Sequence, residues 1–206
     1  METTIRTLRH AQSTYSLDQR YAGSTDVPLS AAGECDCRRS VEAVACMPLD
    51  VIVTSTLKRA IDTSRVLGCE APVRIRSDMC NERGFGVLEG LTWGDVQHLD
   101  PPILFIEVGG DRHSVNPSGG EPFEDVWQRA KEFRGFLFDN YRGSSILVVS
   151  HSVFLQMLHG VLRGGNCVES LLASPATLEL TTFRFRGDLL VDEAAMRLLD
   201  DAGQGF

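Results

Sequence analysis

The chain alternates between short apolar runs of strand length and longer segments with helical periodicity. Strands are predicted at residues 3–8, 51–54 and 146–149, with a weaker one at 73–75. Helices are predicted at residues 31–45, 57–67, 121–141 and 153–162, the first of them after the N-cap candidate Ser30. A final pair of strands is predicted at residues 178–185 and 189–191, around a turn at 186–188.

This alternation predicts an α/β fold, a three-layer sandwich around a mostly parallel central sheet. The pattern continues without a repeat or a linker, so we interpret residues 1–206 as one domain. Residues 76–120 are less regular and rich in glycine, and we interpret them as a lid-like insertion with one short helix at 93–99. The last residues, 200–206, are Gly-rich and acidic and are expected to fray.

The charge of the chain narrows the classes of partner. Hydrophobic residues make up 43% of the chain and charged residues 23%, as in globular proteins. The formal net charge of −8 argues against nucleic acid and against an anionic membrane, since both select basic surfaces. A small anionic ligand remains compatible with this charge, because a few arginines can form one local positive pocket.

The cysteines and the hydropathy pattern bear on location. The six cysteines include no C-x-x-C pair and no zinc-finger spacing, so we interpret them as reduced thiols. No signal peptide is recognised, and no apolar run has the length of a membrane span. A cytoplasmic location is therefore expected.

Polar side chains follow the predicted central strands at the points where those strands end. Arg9 and His10 follow the first strand, Arg59 lies in the first turn after the second, and His151 follows the strand at 146–149. Because ligands in such folds bind at the carboxyl ends of strands, these side chains are expected to converge. Glu82 lies in a Gly-rich stretch and is a candidate general acid. Taken singly, each also has an ordinary interpretation as a structural histidine, a surface arginine or a loop glutamate.

The order and spacing of these segments resemble those of the histidine phosphatase superfamily, the phosphoglycerate mutase-like proteins. The resemblance covers about residues 3–162. The matching motifs are Arg9-His10-Ala11-Gln12-Ser13, the segment 23–33, Ser55 with Arg59 and Thr63, Glu82 with Gly86, Glu89 and Gly90, Gly119-Gly120-Glu121, and Ser150-His151-Ser152. The departures from the family pattern are Ala11 and Ser152 in place of glycines, Ser16 in place of an asparagine, and Pro122 in place of a serine.

The resemblance implies a role for each matching residue. His10 would attack phosphorus, with Arg9, Arg59 and His151 around the phosphate oxygens and Glu82 as general acid and then base. Glu89 is the second choice for that acid role. The residues expected to contact substrate are Gln12, Ser13, Ser16, Arg83 and Ser152. The resemblance implies neither a metal nor a cofactor.

We therefore predict a metal-independent phosphomonoesterase of the histidine acid phosphatase type, acting on a small-molecule phosphate ester. The alternatives are a phosphoglycerate mutase, which Asn81-Glu82-Arg83 resembles, a phosphoprotein phosphatase and a non-catalytic phosphate-binding module. The lid favours hydrolysis, because it offers one fixed cation, Arg112, besides His98 and His113. Phe85, Trp93, Phe105 and Trp127 are interpreted as packing residues rather than substrate contacts. A homodimer is left open.

Overall fold

The computed structural model describes residues 1–199 and places a mixed sheet of six strands at the centre of the molecule. Within residues 1–199 the strands, including two outside this sheet, are β1 (Glu2–Arg9), β2 (Val51–Thr54), β3 (Val73–Arg76), β4 (Phe105–Val108), β5 (Asp111–Ser114), β6 (Ser145–Ser150), β7 (Glu179–Arg186) and β8 (Leu189–Arg197). The central sheet has the order β3-β2-β6-β1-β7-β8, and β4 and β5 form a separate hairpin, the lid hairpin. The expectation for residues 200–206 lies outside the described residues.

Helices cover both faces of the sheet. They are α1 (Thr14–Leu17), α2 (Ala31–Arg39), α3 (Val41–Ala45), α4 (Lys58–Val66), α5 (Phe123–Tyr141), α6 (Ser152–Arg163) and α7 (Cys167–Ser170). One buried cluster joins α5 and α6 to one face, and a second joins α2 and α4 to the other. The prediction of a three-layer α/β fold is confirmed. Within residues 1–199, no helix combines the length and apolar character needed to cross a membrane.

The strand register brings the candidate residues to one edge of the sheet. Strand β6 runs parallel to both β1 and β2, and Arg9 pairs with Ser150 while Thr54 pairs with Val149. The three strands therefore end level with one another. The segments that follow them, beginning at His10, Ser55 and His151, leave the sheet side by side.

Several elements differ from the sequence prediction. The predicted helix at 31–45 is broken at Ser40, whose hydroxyl donates to the Asp36 carbonyl and whose backbone departs from helical angles. The helix predicted at 93–99 is a 3₁₀ turn at Asp95–His98. The short helices α1 and α7 and the lid hairpin were not predicted, because none is long enough to show a period. The final strand pair is confirmed, with β8 longer than predicted.

The lid hairpin is fastened to the rest of the molecule by close backbone packing. Its turn at Gly109 lies so near the carbonyl of Leu172 that a Cβ at Gly109 would overlap it. On the chain leading into the lid, Val87 donates its N–H to the Ser118 carbonyl at 2.9 Å. The hairpin therefore covers the sheet edge from a fixed position.

Gly33 allows α2 to pack closely against the loop after His10. A Cβ at Gly33 would overlap the backbone oxygen of Gln12, whereas one at Gly135, in the middle of α5, meets nothing within 4 Å. Gly33→Ala should lower the free energy of unfolding by about 1–3 kcal/mol through overpacking. Gly135→Ala should raise it by about 1 kcal/mol through helix propensity.

Chemical denaturation of the two variants and the unmodified protein measures both effects. Equal stability for the two variants would contradict the close packing of α2 on the His10 loop.

Candidate active site

A cavity of about 610 Å³ opens above the carboxyl edge of the sheet, beneath the lid hairpin. Of the residues predicted from the sequence, it is lined by Arg9, His10, Ser16, Arg59, Glu82 and Ser152. Four others, Gln12, Ser13, Arg83 and His151, are not part of its lining. The cavity therefore collects most, but not all, of the predicted site.

His10 is held as a neutral imidazole with one free nitrogen. Its Nδ1 lies 2.6 Å from the carbonyl oxygen of Ala11. A carbonyl only accepts, so Nδ1 carries the proton and Nε2 keeps its lone pair. Burial first, and then the charges of Arg59 and Arg9, hold the pKa of His10 well below its usual value, against a smaller opposing effect of the Ala11 carbonyl. This is the state that a nucleophilic histidine requires.

His151 packs against His10 and is not part of the cavity lining. The two rings meet edge to face, with centroids 5.0 Å apart, and His151 is fully buried. Its Nδ1 accepts from Arg59 Nε at 3.1 Å, so Nε2 carries the proton, 2.7 Å from Ser55 Oγ. Burial, followed by Arg59, keeps the pKa of His151 well below its usual value. In this arrangement His151 positions Arg59, and its contact with phosphate stays a prediction.

Arg59 is almost fully buried and is fixed from three sides. Besides its bond to His151, it donates to the carbonyl of Thr25 at 2.8 Å and to the carbonyl of Gly23 at 2.7 Å. A guanidinium has five N–H donors, so these bonds leave two of them free. The guanidinium lines the cavity, and its free donors are available to an anion there.

The loop that holds Arg59 is itself held by Glu89. The Glu89 carboxylate accepts from the backbone and hydroxyl of Ser24, from the hydroxyl of Thr25 and from the N–H of Phe85. Burial on its own raises the pKa of Glu89, but these hydrogen bonds outweigh it and the net pKa is lowered. Glu89 is not part of the cavity lining, so its placement gives no support to its second-choice assignment as the acid. It positions Arg59 through the loop.

Arg9 lines the cavity and has one buried donor that is unpaired within residues 1–199. Its NH1 group donates to the carbonyl of Pro175 at 2.8 Å, while its buried Nε has no partner among the described residues. Burial lowers the pKa of Arg9, and the nearby Glu82 carboxylate is the largest effect opposing that shift. A buried, unpaired guanidinium N–H beside a cavity is suited to an anionic ligand.

Glu82 is placed by the beginning of α6. Its carboxylate accepts from the backbone N–H groups of Phe154 at 3.1 Å, Val153 at 3.3 Å and Arg83 at 2.9 Å. The first turn of a helix leaves such N–H groups unpaired, and they bind carboxylates. The side chain is 9% exposed and faces the cavity. Glu82 is therefore fixed within the same cavity as His10.

Arg83, which was predicted as a substrate contact, is not part of the cavity lining and instead bonds to the backbone at the end of the lid hairpin and before α5. Its guanidinium donates to the carbonyls of Glu121 at 2.7 Å and Ser114 at 2.9 Å. It also lies over the ring of Phe123 at 3.8 Å. With these contacts made, the side chain ties the end of β5 to the start of α5.

Gln12 and Ser13 also brace the backbone rather than the cavity. Gln12 accepts from the hydroxyl of Ser30 at 2.8 Å, and Ser13 caps α1 by accepting from the backbone of Ser16 at 3.1 Å. The predictions of substrate contact for both are therefore not supported by their placement. Their motif positions are explained by the way they shape the loop after His10.

Sequence reasoning missed part of the cavity wall. Arg112 and His113 were noted in the lid and do line the cavity, while His98 does not. Phe85, Trp93 and Phe105 were interpreted as packing residues, yet the cavity is lined by all three. Arg20, Tyr21 and Gln156 also line it and carried no sequence signal. Among residues 1–199, no group of three or more His, Cys, Asp or Glu side chains is arranged to hold a metal ion.

Comparison with known proteins gives a family match over nearly the whole chain. Residues 5–190 match the model of the histidine phosphatase superfamily, branch 1. The chain is 33% identical to a bifunctional protein of Mycobacterium tuberculosis over 212 residues, covering 98% of this chain and 54% of that protein. The chain thus spans about half the length of this relative.

Two further similarities agree with that match. A 2,3-bisphosphoglycerate-dependent phosphoglycerate mutase of Gloeobacter violaceus is 40% identical over 153 residues, covering 70% of this chain and 68% of the mutase. The solved structure of YhfR from Bacillus stearothermophilus superposes with a TM-score of 0.77 at 26% identity, covering 92% of this chain and 94% of that one.

The charge state of His10 can be tested without a substrate. Because its pKa is lowered, His10 should remain neutral and protonated on Nδ1 at pH 6, where an ordinary histidine with a pKa of about 6.5 is mostly charged. A histidine whose pKa is lowered in the folded protein binds fewer protons in the folded state than in the unfolded state. The free energy of unfolding should therefore fall as the pH drops below about 6.5. Ring ¹⁵N shifts measured by NMR between pH 5 and 8 report the ionisation.

Arg59→Gln should raise the pKa of His10, since it removes the largest charge acting on that ring. Arg65→Gln, on the exposed side of the same helix, is the matched control and should leave it unchanged. Titration of His10 at the ordinary histidine value in the unmodified protein would contradict the assignment.

Proposed function

Because the chain belongs to the histidine phosphatase superfamily, we propose that it is a metal-independent phosphomonoesterase working through a phosphohistidine on His10. The observation that carries the proposal is the free Nε2 of a neutral His10 in a cavity lined by Arg9, Arg59 and Glu82. These groups supply a nucleophile, two fixed cations and a carboxyl group, which are the parts that phosphoryl transfer without a metal requires. The reaction class is that of a histidine acid phosphatase.

In the proposed first step, His10 Nε2 attacks phosphorus as the bond from phosphorus to the ester oxygen breaks. Glu82 gives its proton to the departing oxygen, and the open donors of Arg9 and Arg59 hold the non-bridging oxygens. In the second step Glu82 takes a proton from water, which attacks phosphorus and releases phosphate and free His10. The Ala11 carbonyl holds the Nδ1 proton throughout, so the same nitrogen always faces phosphorus.

Hydrolysis fits the cavity better than mutase chemistry does. A mutase must rebind a doubly phosphorylated intermediate, so its site needs additional cations. The additional arginines of this cavity, Arg20 and Arg112, are exposed; Arg20 donates to the carbonyl of Gly90, and Arg112 stacks on Phe105 at 3.9 Å. The carboxylate of Asp111 lines the same space. The mutase remains the second candidate because of the mutase relative.

The remaining parts of the proposal concern partners and location. The proposed ligand is a small phosphate ester, since the site lies in a cavity beneath the lid hairpin rather than on an open surface. Nucleic acid and membrane are not proposed as partners, in keeping with the net charge of −8. A cytoplasmic setting is part of the same proposal, and a homodimer stays open. The paired cations and free Nε2 favour an enzyme over a non-catalytic phosphate-binding module.

The nucleophile is tested by His10→Ala. This variant should release phosphate from nitrophenyl phosphate at least about 1,000-fold more slowly than the unmodified protein, because no neighbouring group can replace the attacking nitrogen. Rapid quenching with labelled substrate should trap acid-labile phosphate on the unmodified protein and none on the variant. His98→Ala, outside the cavity, serves as the control with full activity.

The same assay after exhaustive treatment with a chelator should retain full activity. Substantial turnover by folded His10→Ala, or loss of activity on chelation that a divalent ion restores, would show that the enzyme belongs to a different class.

Esters with poor and good leaving groups distinguish the proposed roles of Glu82 and Arg59. An alkyl phosphate expels a poor leaving group that needs a proton, whereas nitrophenyl phosphate expels a stable phenolate. Glu82→Gln should therefore reduce kcat/KM for the alkyl ester by about 100-fold or more and have a much smaller effect on the nitrophenyl ester. Arg59→Ala should reduce both to a similar degree, since it holds oxygens that both substrates share.

Glu89→Gln gives an independent check, because Glu89 lies outside the cavity lining and holds the loop that fixes Arg59. It is expected to follow the Arg59 pattern, with equal losses on both esters. If Glu82→Gln also lost both activities equally, the proton donor would have to be another group.

A further inference from the structure

Four buried side-chain atoms have no hydrogen-bond partner within residues 1–199: Arg9 Nε, Ser64 Oγ, His113 Nε2 and Gln156 Nε2. Leaving a buried polar group unpaired costs stability, so each such group calls for an explanation. Three of the four, all except Ser64, belong to residues that line the cavity. Arg9 is accounted for by phosphate, which leaves Gln156 and His113 without a role in the proposed mechanism.

Gln156 is a lone amide on an apolar stretch of helix. It lies in α6, is 1% exposed, and follows Leu155 and precedes Met157, both of which are fully buried in the core. Its amide nitrogen makes no hydrogen bond to any described residue. Exchanging the positions of the amide nitrogen and oxygen would only place an unpaired acceptor where the unpaired donor now lies. The side chain faces the cavity, so a ligand there can supply the missing partner.

His113 reaches the same cavity from the lid hairpin. It is 6% exposed, packs edge-on against Phe123, and shares a hydrogen bond with the backbone of Leu171. Because Nε2 has no partner, that bond belongs to Nδ1, which donates to the carbonyl. Burial, as the largest effect, lowers the pKa of His113 although Asp111 and Leu171 act to raise it. The ring is therefore neutral at pH 7, and Nε2 is an acceptor.

We propose that Gln156 and His113 form a polar subsite that binds hydroxyl groups on the leaving group, so that the substrate is a polyol or sugar phosphate. This inference rests on the proposed hydrolysis. A hydroxyl group both accepts and donates, which matches an amide N–H together with an imidazole lone pair. A carboxylate is the less favoured group, since His113 is neutral and Asp111 adds negative charge to the cavity. Arg112, the lining cation next to His113 in the chain, is exposed and stacked on Phe105.

Three substrates with the same six-carbon skeleton test the proposal. Glucitol 6-phosphate carries hydroxyl groups along the chain, n-hexyl phosphate carries none, and gluconate 6-phosphate ends in a carboxylate. The unmodified protein should prefer glucitol 6-phosphate to n-hexyl phosphate by at least about tenfold in kcat/KM, because a site built for hydroxyl groups rejects the analogue that lacks them. It should also prefer glucitol 6-phosphate to gluconate 6-phosphate.

The variants are chosen to keep shape while removing the hydrogen bond. Gln156→Met keeps an unbranched side chain of similar length, and His113→Phe keeps a ring against Phe123. Each should reduce kcat/KM for glucitol 6-phosphate by about tenfold or more and leave n-hexyl phosphate within about twofold. Comparing each substrate with itself across variants cancels the difference in leaving-group quality.

Ser64→Ala is the matched control, since Ser64 is also buried and unpaired but lies in α4 away from the cavity. It should leave all three rates unchanged. Gln156→Met and Ser64→Ala should each raise the Tm by roughly 2–4 °C, because both remove an unpaired buried polar group. Gain of stability with loss of activity on the hydroxylated esters, but not on n-hexyl phosphate, distinguishes a binding role from a structural role.

Equal effects of Gln156→Met and His113→Phe on all three substrates, or no effect on any, would overturn the subsite. A preference of the unmodified protein for gluconate 6-phosphate would overturn the substrate class. If nitrophenyl phosphate is cleaved and none of the three esters is, the inference fails while the proposed function stands. If nitrophenyl phosphate is not cleaved either, the proposed function fails and the inference fails with it.

Discussion

The burial of the Arg59 guanidinium is the constraint on which the rest of the site depends. Taking a cation out of water is costly, and the chain offsets this cost with carbonyl groups and an imidazole nitrogen instead of a directly paired carboxylate. That choice keeps His151 neutral, fixes the loop at 23–26 and requires Glu89 to hold the loop. It also leaves positive charge beside His10, which lowers the pKa of that ring and favours an anion in the cavity.

The strand–helix unit β6–α6 concentrates several functions in one short piece of chain. The residue between them, His151, positions Arg59, and the first N–H groups of α6 position Glu82. One turn further along, Gln156 faces the cavity from the same helix. Glu82, Arg59 and the part of the cavity wall at Gln156 therefore share a single rigid support. A disturbance of the first turn of α6 would move all of them together.

The sheet and the residues at its edge could be predicted because parallel strands end together, which brings Arg9, His10 and Arg59 to one place whatever the loops do. The sequence did not predict where side chains point after leaving the sheet. Arg83 turns toward Ser114 and Glu121 because the lid hairpin presents their carbonyls, and that hairpin has no periodic signal. Gln156 was missed for a different reason: it lies within an apolar helix, where one polar residue does not change the pattern.

The fastening of the lid has a consequence for how a ligand is selected. The hairpin is tied down by Arg83, by the packing of Gly109 against Leu172 and by the bond between Val87 and Ser118. Contacts at three points restrict the movement of the hairpin, so we expect the cavity to keep its shape when a ligand enters. Under the proposed function, a substrate is then selected first by its length and outline as it enters, and afterwards by its hydrogen bonds within the cavity. A change in the ligands that fit would therefore require substitutions among the residues that line the cavity.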